Sequence, residues 1–169
     1  MKQLKSLLIA ALLFVGASQT VSAQAKVAHI NVSELMTNMP EMKAANAQLE
    51  KLGKTYDTEY NTMVDEYRNK IKKYEAEATT VSDAVNDTRQ TEVQDMRARI
   101  EQYQQTASKE LQTKQEEIVK PILEKARLAI QKVAKAKGYQ YVLDSSVGSG
   151  VLLADGPDLL ADVKKELGF

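Results

Sequence analysis

Thr79-Thr-Val-Ser-Asp-Ala-Val-Asn-Asp-Thr88 is the stretch that decides how this chain folds. It sits inside about a hundred residues nearly free of helix breakers: Pro121 is the one proline and Gly53 the one glycine between Lys43 and Lys137. Thr, Ser, Asp and Asn favour caps and turns over helix interiors, because their short polar side chains compete for nearby backbone groups. A reversal here lets the chain pair with itself. Without a reversal, the same residues make one long rod that needs a parallel partner chain, and the lack of Gly or Pro in the segment leaves that alternative open.

Both flanks are helical by period. Outward, apolar or small residues fall at Met42, Ala45, Leu49, Leu52, Tyr56, Tyr60, Met63, Tyr67, Ile71, Tyr74, Ala78, Val81 and Val85. Every step is three or four, the spacing of one helix face. On the return the stripe runs Val93, Met96, Ile100, Tyr103, Ala107, Leu111, Ile118, Ile122, Ala126, Ala129 and Val133. One narrow seam per leg, with charge elsewhere, is the pattern of a coiled-coil partner. The spacing predicts an antiparallel helical hairpin over 41–136, turning near 79–90, with legs of roughly 65 Å at 1.5 Å per residue.

The seam is unusual in composition. Permanent coiled coils prefer Leu, Ile and Val at their core positions, whereas the outward leg uses Tyr56, Tyr60, Met63, Tyr67 and Tyr74. Tyrosine needs its hydroxyl near water or a partner, and methionine adapts its shape readily. The rhythm also drifts from 3.5 toward 3.67 residues between Leu52 and Tyr74, which unwinds a left-handed supercoil locally. Such a seam reads either as a loose interhelical interface or as a pliable apolar surface that other chains can share.

The ends are β-rich. Lys26-Val-Ala-His-Ile-Asn-Val32 alternates Ala28, Ile30 and Val32 onto one face. Tyr139–Leu143 and Val151–Ala154 read as a hairpin around Ser145-Ser-Val-Gly-Ser-Gly150. A closing helix is expected from Pro157-Asp158 to Gly168. A folded-back middle brings these ends together as a body formed by 24–40 and 137–169, with three strands and one helix. About 55 residues barely sustain a core alone, and free strand edges invite pairing, so the body is expected to oligomerise. Its expected residues are Ala28, Ile30, Val32, Tyr141, Leu143, Val151 and Leu153.

The first 23 residues read as an export signal: Lys2 and Lys5, the apolar run Leu7–Val15, then Val21-Ser-Ala23 before the cleavage point. Nine apolar residues are too few to span a bilayer, so no stable membrane anchor is expected. Without Lys2 and Lys5 the formal charge falls from zero to −2. Export without any cysteine suits a bacterial periplasm.

The 169 residues are 43% hydrophobic, 5% aromatic and 27% charged, which fits neither wholesale disorder nor a collagen-like repeat. Equal numbers of basic and acidic side chains, 23 each, give no reason to expect nucleic acid. The absence of cysteine removes disulfides, thiol catalysis and Cys-ligated metal. His29, the single histidine, lies on a predicted strand with no nucleophile motif beside it. Gly148-Ser-Gly150 lacks the spacing of a phosphate cradle. The carboxylates along the legs read as a solvated helical face, so no enzyme, metal site or cofactor is expected. Charge is uneven: Glu75 to Asp95 holds six acids and one base, and Lys109 to Lys137 eight bases and four acids.

Taken together, Lys26-Val-Ala-His-Ile-Asn-Val-Ser-Glu-Leu-Met36, the charged helical hairpin, Ala136-Lys-Gly-Tyr-Gln-Tyr-Val-Leu-Asp144 and the terminal Asp-Leu-Leu-Ala-Asp-Val-Lys helix resemble the Skp/OmpH periplasmic chaperones. The resemblance implies an α+β fold: a coiled-coil tentacle on a small β body that assembles, as a homotrimer, into a barrel. It also implies a holdase that needs no ATP and binds unfolded outer-membrane proteins. Met63, Tyr67, Tyr74, Met96 and Tyr103 are then the candidate client contacts. The chain departs from better-known members in charge, with an acidic turn where they are basic, so no lipopolysaccharide site is carried over. The alternative is a periplasmic spacer or adaptor arm with one fixed partner.

Overall fold

A computed structural model describes residues 25–169; the expected export signal lies outside them. The chain runs β1 (Val27–Ile30), α1 (Val32–Asn38), α2 (Pro40–Glu77), α3 (Asp83–Ala136), β2 (Tyr141–Asp144) and α4 (Leu160–Leu167). Helices α2 and α3, of 38 and 54 residues, pack side by side as an antiparallel arm. The fold is α+β, a helical hairpin on a small β-containing base.

The arm turns at residues 78–82, earlier in the Thr/Ser/Asp run than its centre. Ser82 sits in extended backbone as the N-cap of α3, and Asp83 occupies the first turn, where a carboxylate suits the helix dipole. Thr80 donates its hydroxyl to Glu77 O at 2.8 Å, and Asn86 Nδ2 donates to Ala78 O at 2.9 Å across the reversal. Part of the run is therefore a helix start, and Thr88 lies within α3. The seam stops with it: Ala78 and Val85, expected on the stripe, are exposed.

The base departs from its expected three strands. Val32 does not extend β1, because Asn31 caps a new helix by accepting from Glu34 N at 2.9 Å. Residues 151–154 form no strand, and the expected hairpin is absent. Instead β2 pairs with β1 in parallel, Val27 opposite Tyr141 through Ile30 opposite Asp144. The reason lies at the end of α3. Gly138, at φ 75°, donates its N–H to Lys135 O, and Tyr139 N–H donates to Ala134 O, the paired bonds of a Schellman ending. That left-handed residue turns the chain so that β2 runs alongside β1. Parallel strands need a long crossover, and here the whole arm is that crossover. The other edge of β1 is closed by His29, whose N–H donates to Pro157 O and whose carbonyl accepts from Leu159 N–H.

One core holds these pieces. Ile30, Leu35, Met39, Leu159 and Val163 are fully buried, together with Ala28 and with Ala126, Ala129, Val133 and Ala134 from the last turns of α3. Small residues on α3 let β1, α1 and α4 approach it closely. Beside the core, Asp144 accepts from Ser146 N–H at 2.8 Å and from the Ser146 hydroxyl at 2.6 Å. Ser33 N–H in turn donates to Ser146 Oγ at 2.9 Å, tying α1 to the end of β2. Burial pushes the Asp144 carboxyl up, but the Ser146 and Val32 donors outweigh it and hold it below the usual range. The Leu159→Ala variant is expected to lose about 2–5 kcal/mol of stability, read as an earlier urea midpoint in circular dichroism.

Candidate functional site: the seam of the arm

From the base outward, the two legs are joined by rungs. The Glu41–Lys125 ion pair marks the first. Leu49 and Leu52 then give way to tyrosines whose hydroxyls cross the seam. Tyr56 donates to Glu110 at 2.8 Å and Tyr103 donates to Glu59 at 2.7 Å, their rings meeting edge-to-face at 6.4 Å. Farther out Met63 faces Met96 across a small void of about 90 Å³, also lined by Glu66, Arg99 and Ile100. Near the turn, Lys70 and Tyr74 both donate to Glu92. Arg89 lies 4.5 Å from the Tyr74 ring centroid and donates to Glu77 at 2.5 Å. Its Nη1 is the one buried side-chain donor without a partner among the described residues, and the π-face below the guanidinium supplies the compensating negative potential.

This geometry explains the tyrosines. A phenol long enough to reach the opposite leg can bury its ring in the seam and leave its hydroxyl at the rim, where a carboxylate waits. These bonds are charge-assisted, hence shorter and stronger than neutral ones. Glu59, Glu92 and Glu110 therefore belong to the pairing of the helices and not to a merely solvated face. A tyrosine on one stripe with an acid just off the other was the legible signal.

Met63, Tyr67, Tyr74, Met96 and Tyr103 are all half-buried in this seam, so each keeps one side toward solvent while packing between the legs. The body residues separate into two groups. Ala28 and Ile30 are buried in the protomer's own core, and Val32 is half-buried in α1. Tyr141 (60% exposed) and Leu143 stand on the outer face of β2; Val151 is half-buried, while Leu153 (84%) and its neighbour Leu152 (100%) are bare. Sequence reasoning missed a second apolar surface on the arm. Val119 and Leu123 form an apolar strip on one face of α3, and Leu128 is also exposed. Their i, i+4 spacing lies off the seam stripe, which was the available signal.

His29 is a strut: its Nε2 donates to Gly156 O at 3.0 Å and its Nδ1 lies 3.2 Å from Ser145 Oγ. Among the described residues no three side chains cluster to hold a metal, and no helix is long and apolar enough to cross a membrane.

Burial and the Glu59 carboxylate push the Tyr103 hydroxyl up to about 12, and Glu110 and Glu92 raise Tyr56 and Tyr74 in the same direction. Unfolded tyrosine titrates near 10. The folded arm thus holds these protons longer, so its stability is intact below about pH 10 and falls as pH rises toward 12. Phenolate absorbance should show a late-titrating tyrosine that the Glu59→Gln variant brings earlier, and helicity should decline over the same interval.

Residues 26–167 match the family model described as outer membrane protein (OmpH-like). A "Chaperone protein Skp" of Pectobacterium atrosepticum is 26% identical over 92% of this chain and 93% of its own length. Another of that name, from Yersinia enterocolitica, is 28% identical over 97% and 99%. A solved structure described as an OmpH-like outer membrane chaperone from Caulobacter crescentus superposes with a TM-score of 0.76 at 19% identity, covering 86% of this chain and 85% of that one. With its sequence matched across both strands, both legs of the arm and the closing helix, the chain belongs to the OmpH-like family.

Proposed function

We propose that this protein is an exported, ATP-independent holdase that binds unfolded outer-membrane proteins in the periplasm and keeps them from aggregating before insertion. The observation that carries this reading is the arm: more than 30 residues of paired helix in which half-buried tyrosine and methionine interrupt the aliphatic seam, most of all on the outward leg. An unfolded barrel protein exposes alternating apolar strands. Met63, Tyr67, Tyr74, Met96 and Tyr103, through their solvent sides, and Val119 and Leu123 on the face of α3 offer it many weak contacts without a fixed sequence. No nucleotide is needed, because a client leaves when a membrane or an assembly machine holds it better.

The base supports assembly, and the number we infer, from the family likeness, is three. β2 has β1 on one edge and no partner on its other edge among the described residues. Bare beside it are Val147, Leu152 and Leu153, apolar side chains that a monomer would leave in water. In a trimer, residues 151–154 would lie against the free edge of a neighbouring β2, completing a shared barrel and surrounding a cavity with three arms. Three arms also raise the effective concentration of contacts around one client.

Two measurements test these statements. Diluting a denatured outer-membrane barrel protein from urea should scatter light alone and stay clear with the chaperone present. Changing Met63, Tyr67 and Met96, which make no cross-leg hydrogen bond among the described residues, together to glutamine should weaken client binding at least tenfold with helicity retained; unchanged binding removes them from the client surface. A fixed-partner spacer arm would suppress no aggregation at all. By sedimentation, the wild type should run as a trimer and the Leu152→Asp, Leu153→Asp variant as a monomer, and a variant that stays trimeric overturns the assembly surface.

A further inference from the structure

Gly53 is not accounted for by the fold. It lies inside α2, where glycine is the worst helix residue after proline, and its backbone is helical, as any residue's could be. Nothing stands within 4 Å of where a Cβ would project, so no close approach requires it. The space it leaves is the floor of a cleft of about 330 Å³ between the legs. Ala107 and Ser108 on α3 keep the facing wall low, and Tyr56, Tyr60 and Tyr103 line the cleft together with Gln104 and Leu111. Asp57 stands at the rim.

Among the described residues Asp57 is the one charged side chain that lines the cleft, and Lys114 lies near enough to Glu110 to interact with its charge. Asp57 is in no ion pair among the described residues, since Lys54, one turn away, is engaged by Glu50 at 2.6 Å. The hydroxyls of Tyr56 and Tyr103 are tied to Glu110 and Glu59, which fixes both rings and adds two carboxylates close to them. Neither of those acids forms an ion pair among the described residues. Aromatic faces carry a negative quadrupole, and with a carboxylate at the edge they attract a cation that leaves water. The volume suits one side chain and not a folded element.

We propose that this cleft is a docking pocket for a cationic side chain, arginine or lysine, carried by an extended segment of an unfolded chain. The pocket gives the arm a preference for clients with isolated basic residues between apolar ones, and it rests on the holdase reading for its occupant. Methylene stems of arginine or lysine would lie along the rings while the charged head meets Asp57.

The test uses the full-length protein and an eight-residue peptide alternating arginine and serine, against the same peptide with citrulline, a neutral isostere, in place of arginine. By fluorescence anisotropy at low salt, the arginine peptide should bind at least tenfold more tightly. Gly53→Leu, which fills the cleft, and Asp57→Asn, which removes its charge, should each weaken the arginine peptide at least fivefold. Leucine is the better helix former, so Gly53→Leu should also raise the thermal midpoint, separating a filled pocket from a damaged arm. Equal binding of the two peptides, or unchanged arginine affinity in the Asp57→Asn variant, overturns the pocket. Peptide discrimination without suppression of client aggregation would sink the holdase reading and leave the pocket standing; the converse would sink the pocket alone.

Discussion

The parallel ladder between Val27–Ile30 and Tyr141–Asp144 joins positions more than a hundred residues apart, and the arm hangs from that junction. Closing a long loop costs little more than closing a moderate one, about 0.6 kcal/mol per doubling of its length. The ladder therefore tolerates a very long crossover, provided the crossover is ordered by its own contacts. Four strand residues a side are too few to stand alone. They persist because Ala28 and Ile30 face a core that α1, α3 and α4 complete, and because Ser146 and Asp144 fasten α1 to the end of β2.

The arm meets its half of that condition with tyrosine and methionine set among the aliphatic side chains of its seam. Isolated ion pairs on an exposed helix contribute little, usually under about 1 kcal/mol. Here the cross-leg carboxylates receive phenols whose rings are already packed, so one residue supplies both apolar area and a charge-assisted bond. The arrangement keeps the legs in register while leaving the ring edges and the methionines within reach of solvent. A seam of leucine would be tighter and more closed. Acidic groups drawn into these rungs also give the arm a different electrostatic character from a basic tentacle.

Much of this was legible in advance. The 3.6-residue stripe located nearly every half-buried position from Met42 to Tyr74 and from Val93 to Val133, because helix period depends on the sequence alone. The turn, expected near 79–90, falls at 78–82, at the start of that range, since Ser82 and Asp83 serve equally as turn formers and as a helix start, and sequence does not say which. The base was harder. Val32 looked like a third inward strand residue until Asn31 capped a helix in front of it. Residues 151–154 have the composition of a strand but no backbone partner within the protomer, and strand pairing is a property of the fold and not of a segment. Gly138 was the overlooked sign that β2 would run parallel to β1. The half-buried seam positions followed the stripe; the acids that hold Tyr56, Tyr74 and Tyr103, and the apolar strip at Leu123, did not, because both lie off it.

Helix α3 runs unbroken through Pro121; it pairs with α2 as far as Lys125, and its last turns, Ala126 to Ala134, are embedded in the base. No flexible linker separates the two regions. A sideways load at the far end is therefore delivered as torque on the buried alanines, multiplied by a lever of roughly 60 Å at 1.5 Å per residue. A load near the turn would press on Ile30, Leu35 and Val163, which share that core, so that bending the arm and shifting the base become a single mechanical event.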